Sequence, residues 1–159
     1  MGEHKTVSGT SFIVDDEDDE VVKQRTWYSS KRSANLYIVG YDKGLKKLCR
    51  IHRLLMNAKQ GQFIDHVNGD GTDNRKDNLR FCTPSQNQWN RVKSRGASQY
   101  KGIYYISSTK LWAVTITKHR VRYRLGKYKN PKLAAYVYDY AAKSLFGEFA
   151  KTNEELCHV

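Results

Sequence analysis

Residues 65 to 90 read D-H-V-N-G-D-G-T-D-N-R-K-D-N-L-R-F-C-T-P-S-Q-N-Q-W-N. Local signals along this run predict a strand, a long loop, a returning strand and a helix. Gln62 to His66 has strand composition, and the stretch after it is rich in Gly, Asn and Asp, which favour turns. Leu79 to Cys82 reads as the returning strand. Thr83 then stands as an N-cap, Pro84 at the first helical position and Gln86 three residues after the cap, which together mark a helix start. Asp65 and His66 are adjacent, Asn78 follows His66 by twelve residues and Asn87 follows Asn78 by nine. The run therefore gathers a carboxylate, an imidazole and two amides on one strand–loop–strand–helix unit.

Working outward toward the N-terminus, Ser11 to Val14 is a short apolar strand. The acidic run Asp15 to Glu20 suits the first turn of a helix reaching about Gln24, where carboxylates meet the positive end of the dipole. It is read as a solvated helix start that faces away from any polyanion. Thr26 to Ser30, Asn35 to Tyr41 and Lys46 to Ile51 read as strands, with Asp42, Lys43 and Gly44 as turn chemistry between the second and third. His52 to Asn57 predicts a short helix.

Toward the C-terminus, residues 88–99 are polar and basic, with Arg91, Lys93 and Arg95. A second module follows. Tyr100 to Ile106, Leu111 to Lys118 and Val121 to Tyr128 alternate as strands. Trp112, Val114 and Ile116 share one face of the middle strand, and Ala113, Thr115 and Thr117 the other. In the third strand, Tyr123 and Leu125 are predicted inward and Arg122 and Arg124 outward. Pro131 opens a helix to about Phe146, whose Ala134, Ala135, Tyr138, Ala141, Ala142 and Leu145 recur at helical spacing, and Gly147 stops it. The expected fold is α+β. It comprises an N-terminal lead-in over 1–60, a ββα unit over 61–94 that forms one body with the lead-in, and a basic linker over 95–99. A three-stranded antiparallel sheet packed on one helix follows over 100–153, with a tail over 154–159.

Composition narrows the function classes. The chain has 159 residues and a formal net charge of +12. The first twenty residues hold seven acidic groups and one lysine, a net of −6, which leaves +18 on the other 139. Such a surface favours a polyanionic partner, of which nucleic acid is the commonest. No apolar run is long enough for a membrane span, and the N-terminal M-G-E-H-K-T-V-S lacks the pattern of a secretory signal. Cys49, Cys82 and Cys157 are odd in number and widely spaced, so no disulfide framework is expected and a reducing, cytoplasmic setting is. Cys49 and His52 form a C-x-x-H half-site that His66 and Cys82 could complete around zinc. The better reading makes both cysteines small buried residues on strands.

The central run carries the parts for cutting a phosphodiester. A neutral His takes a proton from water near its ordinary pKa. A hard divalent cation stabilises charge on the phosphate and leaving oxygen, and it prefers oxygen ligands. Asp65 offers a carboxylate and Asn87 an amide oxygen, both suited to Mg²⁺ or Mn²⁺, and no zinc is expected. Neighbouring strand side chains point to opposite faces, so Asp65 and His66 require a twist or bulge to serve one site. Asn78, where the loop re-enters the second strand, can hold the loop closed through its amide.

The motifs D-H-x-N-G, D-N-R-x-x-N-L-R and S-Q-N resemble, in order and spacing, the HNH endonuclease family in the phage and intron-encoded form that ends in Asn. The resemblance implies a ββα-metal finger, Asp65 and Asn87 as ligands of one divalent metal, His66 as general base, Asn78 as the structural loop-holder, and 5′-phosphate and 3′-hydroxyl products. His52-Arg53-Leu54 resembles the segment that often precedes this finger. Arg53 is expected to meet a phosphate or a carboxylate, and Arg75 to contribute to DNA binding.

Residues 100–153 resemble the plant ethylene-response-factor domain. The resemblance rests on Tyr100-Lys101-Gly102-Ile103, Trp112-Ala113-Val114, Leu125-Gly126-Lys127-Tyr128 and the Ala-rich helix ending in Phe146-Gly147. It implies a sheet face in the DNA major groove, with Lys101, Tyr104, Thr115, Thr117, Arg122 and Arg124 toward DNA. Thr115, Thr117 and Arg124 depart from the plant pattern, so its target sequence is not carried over. The combined expectation is a metal-dependent, site-specific endonuclease of homing or phage type that acts on double-stranded DNA in a bacterial or phage-infected cell. It would be a monomer or weak dimer with one active site, suited to nicking. The alternatives are a sequence-specific DNA-binding regulator with an inactive nuclease fold, and an RNA-directed protein.

Overall fold

The first strand of the chain is one that its sequence hides. In the computed structural model, which describes residues 2–32, 35–42, 46–91 and 98–156, β1 (Gly2–Lys5) pairs antiparallel with β2 (Ser11–Val14), from Gly2↔Val14 to Lys5↔Ser11. G-E-H-K carries no apolar alternation, and its anchor is His4, stacked on Phe12 at 5.5 Å. The chain divides into two compact units, residues 1–84 and 85–159.

In the first unit, β2 is followed by a 3-10 turn, Asp16–Asp18, and a one-turn helix α1 (Asp19–Lys23). The single predicted helix is thus two short pieces. A second sheet has the order β3 (Trp27–Arg32), β4 (Asn35–Asp42), β5 (Lys47–Arg50), all antiparallel. It leads into α2 (Ile51–Leu55). Phe12, Val14, Val22, Trp27, Ile38 and Ile51 form the core. Trp27 closes it by donating from Nε1 to Val22 O at 2.9 Å, which satisfies the polar end of a buried indole. The unit ends with β6 (Phe63–His66) and β7 (Leu79–Cys82), an antiparallel pair in regular register.

Helix α3 (Pro84–Asn90) begins at the division. In the second unit, β8 (Ile103–Ile106), β9 (Leu111–Lys118) and β10 (Val121–Tyr128) form a meander in the order β10-β9-β8. Helix α4 (Pro131–Phe146) has Pro131 at its start and the Asn130 side chain as its cap, accepting from Lys132 N and Leu133 N. Ile103, Val114, Ile116, Ala134, Ala135, Tyr138, Ala142 and Phe146 build the shared core. Alanines on α4 let the helix lie close against the strands.

Two details differ from the sequence reading. β8 starts at Ile103, three residues past the predicted Tyr100. Gly102 has φ +74 and passes so close to Tyr138 that an added Cβ would sit 2.1 Å from its ring, a backbone state open to glycine and hostile to strand continuation. Tyr123 is 43% exposed, against its predicted inward position. The register shift between Arg124 and Gly126 twists β10 there, and Leu125 is the β10 residue that packs on the core with Tyr128. Finally, among the described residues no helix is long and apolar enough to cross a membrane.

Candidate active site

The site in the first unit is a loop held from three directions. Residues 67–78 connect β6 to β7, and short polar side chains fold them in place. Asn68 Oδ1 accepts from Asp70 N at 2.8 Å, and Asp70 Oδ1 accepts from Thr72 N at 2.9 Å and Thr72 Oγ1 at 2.8 Å. These local bonds substitute for a ladder. Asn78 spans the loop. Its Nδ2 donates to Asn68 Oδ1 at 3.0 Å and to Asp73 O at 2.8 Å, while its Oδ1 accepts from Asn68 N at 3.0 Å. Arg75 grips Asp73 bidentately, through Nε at 2.8 Å and Nη2 at 2.7 Å. That pairing holds the Asp73 carboxyl below its ordinary pKa.

The second restraint comes from the N-terminus. Ile13 N donates to Thr72 O at 3.0 Å and Asn74 N donates to Ile13 O at 2.9 Å, so β2 runs beside the loop. Asp15 Oδ2 accepts from Lys76 N at 2.7 Å, and the Lys76 ammonium pairs with Glu17 and, at 3.3 Å, with Asp18. The acidic run, predicted as a solvated helix start, is therefore a clamp on this loop. The reason is a basic partner some sixty residues away.

The third restraint is β4, where Gly71 passes under the Leu36 carbonyl. A Cβ on Gly71 would lie 2.0 Å from Leu36 O.

Asp65 and His66 end β6, each 6% exposed. No bulge turns them to one side, because Asp65↔Arg80 and His66↔Leu79 stay in register. The strand end is instead covered on both faces. Arg80 lies over Asp65, with Nη2 at 3.0 Å and Nε at 3.3 Å from Oδ2. His66 meets the His52 ring edge-to-face at 4.9 Å and Tyr37 at 6.4 Å, and Arg50 stacks on Tyr37 at 4.7 Å. His66 Nε2 lies 3.2 Å from Asn74 Oδ1. Burial pushes the His66 pKa down, while Asn74 and the carboxylates of Asp65, Asp70 and Asp73 pull it up. The net shift is downward, so the imidazole is neutral at neutral pH, the form that can accept a proton.

His52 is 3% exposed and its Nδ1 has no hydrogen-bond partner among the described residues. Burial, then His66, brings its pKa from 6.5 to about 3. Below pH 6.5 the unfolded chain takes up a proton that the folded chain refuses down to about pH 3. Stability from this group is thus full above 6.5 and declines as the pH falls through that window. At pH 5 the first unit should be less stable than at pH 7 by about 2 kcal/mol. Urea unfolding at the two pH values checks this, and His52→Gln should flatten the difference.

The remaining predicted residues divide as follows. Arg53 bonds to main-chain carbonyls. Its guanidinium donates to Gln62 O at 2.6 Å, Lys59 O at 2.8 Å and Ala58 O at 3.3 Å, stapling the segment between α2 and β6. Asn87 is the fourth residue of α3, half-buried, and belongs to the second unit with Arg91, which is exposed. Lys93, Arg95 and Cys157 lie outside the described residues. Lys101, predicted to face DNA, turns inward. Its Nζ donates to Trp89 O at 2.5 Å, and burial together with the Lys151 charge brings its pKa to about 8. Its long stem follows apolar surface to a carbonyl, an option that lysine spacing does not reveal. Register places Tyr104, Ala113, Thr115 and Arg124, and then Thr117 and Arg122, on one face of the sheet formed by β8, β9 and β10. Tyr104, Thr117, Arg122 and Arg124 are exposed and Thr115 half-buried.

Cys49 and Cys82 are half-buried on β5 and β7, and no three His, Cys, Asp or Glu groups gather into a metal cage among the described residues. The oxygen donors proposed for a metal, a carboxylate and an amide, suit a hard divalent cation by their chemistry. Two residues that the sequence reading passed over are central here. Arg80 could have been found by pairing β6 with β7, and Asn74 carries no side-chain signal beyond its place in D-N-R.

Residues 49–89, from β5 to α3, match the family model described as HNH endonuclease. An uncharacterized HNH endonuclease of Acanthamoeba polyphaga mimivirus is 31% identical over 149 residues, covering 92% of this chain and 76% of that protein. The chain belongs to the HNH endonuclease family. As an HNH endonuclease it is a hydrolase that cleaves DNA. Protein 3.8 of Escherichia phage T7 is also similar, at 27% identity over 93 residues, 58% of this chain and 76% of that protein. HNH endonucleases usually work with a divalent metal. Within this one, the model-matched segment contains the whole 67–78 loop and both residues that end β6.

Proposed function

We propose that this chain is a metal-dependent, site-specific DNA endonuclease of phage or homing type that hydrolyses one strand per encounter. The observation that carries the reading is the buried, neutral His66 imidazole, next in sequence to Asp65, at the start of a restrained loop in an HNH chain. His66 takes the proton from the attacking water. Asp65 and Asn87 are the oxygen donors for the metal, by their place in the family motif. A divalent cation, when bound, would neutralise charge growing on the phosphate and ease departure of the 3′ oxygen. Asn78 keeps the loop closed, and the products are a 5′-phosphate and a 3′-hydroxyl. One finger per chain gives one cut, so a monomer nicks. Supercoiled plasmid carrying a cognate site, incubated with Mg²⁺ or Mn²⁺ and with EDTA as control, tests this. Open circles that form only with metal are expected. Tight binding without conversion would instead make the chain a DNA-binding regulator.

The second unit is proposed as the DNA reader, of the ethylene-response-factor type. A three-stranded meander backed by one helix supports this, as does the shared outer face of Tyr104, Thr115, Thr117, Arg122 and Arg124. Phosphate contacts would give affinity and salt dependence, and arginine contacts to guanine would give site choice. Replacing Arg122→Ala together with Arg124→Ala should weaken specific binding on the order of tenfold to hundredfold. Sequenced cut ends from a genomic digest should show relaxed site choice. Unchanged ends and affinity would remove this face from the reading.

A further inference from the structure

Asn74 is fully buried in the 67–78 loop, at 0% exposure. Its main-chain N–H hangs from Ile13 O at 2.9 Å. Its Nδ2 donates to Thr72 O at 3.1 Å and to Gly71 O at 3.3 Å. Both amide hydrogens are thereby directed at carbonyls, and Oδ1 is left facing His66 Nε2 at 3.2 Å. Turning the amide over would set Oδ1 against two carbonyl oxygens, so the network fixes its orientation. An amide oxygen only accepts. The atom opposite it must donate, which puts the imidazole proton on Nε2.

We propose that Asn74 is a positioning residue that locks the His66 imidazole as the Nε2-protonated tautomer, so that Nδ1 is the nitrogen that takes the proton from water. The inference rests on His66 being the general base. A neutral imidazole has one basic nitrogen, and which one it is depends on the hydrogen bond made by the other. The opposite tautomer would place a lone pair on Nε2 against the Oδ1 lone pairs in a buried place, where an unmade bond is expensive. The lock reaches beyond the loop, because the Gly71 and Thr72 carbonyls that orient Asn74 are themselves set by β4 and β2.

The test separates tautomer from scaffold. In metal-free, DNA-free full-length protein labelled with ¹⁵N-histidine, long-range ¹H–¹⁵N spectra at pH 8 should show His66 protonated on Nε2. Asn74→Ala should lose that bias. It should also slow single-turnover cutting on the order of 100-fold with unchanged affinity for duplex DNA. Asn74→Asp keeps an acceptor toward Nε2 but cannot donate to the two carbonyls. It should recover the tautomer and part of the rate, whereas a residue that only stitches the loop would recover neither. His66 protonated on Nδ1 in the wild-type protein overturns the proposal even if neither variant folds. Retention of the Nε2 tautomer in a folded Asn74→Ala protein overturns it too. Because the spectra are read without DNA or metal, the result stands apart from whether the chain cuts.

Discussion

His66→Ala should silence cutting and leave DNA binding in place. Proton transfer by a positioned side chain contributes about 10²- to 10⁴-fold, and the neighbouring histidine cannot replace it. The His52 imidazole lies against His66 at 4.9 Å, but its pKa of about 3 makes it a far weaker base. Deleting a buried ring also leaves a cavity beside Tyr37 and His52, at a cost of about 2–4 kcal/mol. Single-turnover rates should therefore be measured below the melting temperature of the variant, with affinity for the same duplex determined at matched salt. A folded His66→Ala protein that cuts at the wild-type rate would remove His66 from the chemistry.

Gly71→Ala, the addition of one methyl group, should disable both the fold of the first unit and its chemistry. The new Cβ would meet Leu36 O at 2.0 Å and Leu36 C at 3.1 Å. These are main-chain atoms of strand β4, held at this point by the pairing of Leu36 with Lys31 of β3. The loop must move instead, and it carries the Gly71 carbonyl that receives the Asn74 amide, which in turn faces His66. Overpacking of this kind costs about 3 kcal/mol. For a unit of this size that corresponds to a fall in Tm on the order of 10–20 °C. Thermal unfolding and plasmid nicking should fall together. Wild-type melting and cutting would show that the loop does not need its close approach to β4.

What the sequence made legible is what neighbours along the chain determine. Asn130-Pro131 and Gly147 bound α4 because caps act within a turn. Alternation marked β9 and β10 to the residue, and the turn-forming composition of 67–78 identified the loop. Distance in sequence hid the rest. β1 is polar throughout, so its alternating burial has no apolar signature in the sequence. The bonds from Ile13 to Thr72 and Asn74 are made by main chain, which every residue possesses. Arg53 and Lys101 spend their donors on carbonyls, and a basic residue read from sequence points equally well at a phosphate or at its own backbone. Arg80 becomes visible only when the strand register is known. At the candidate site, Asp65, His66 and Asn78 were readable from type and spacing, while Asn74 emerged from the network around it.

The docking of β2 along the loop bears on how such a cutter could be transplanted. A graft of the segment from Gln62 to Cys82 into a foreign scaffold would carry the imidazole and the carboxylate across. It would leave behind Ile13 and Asp15, which supply three of the loop's hydrogen bonds. The portable piece must therefore include residues from Ser11 onward. Any recombination that exchanges fingers between chains without that strand would deliver the chemical groups without their alignment.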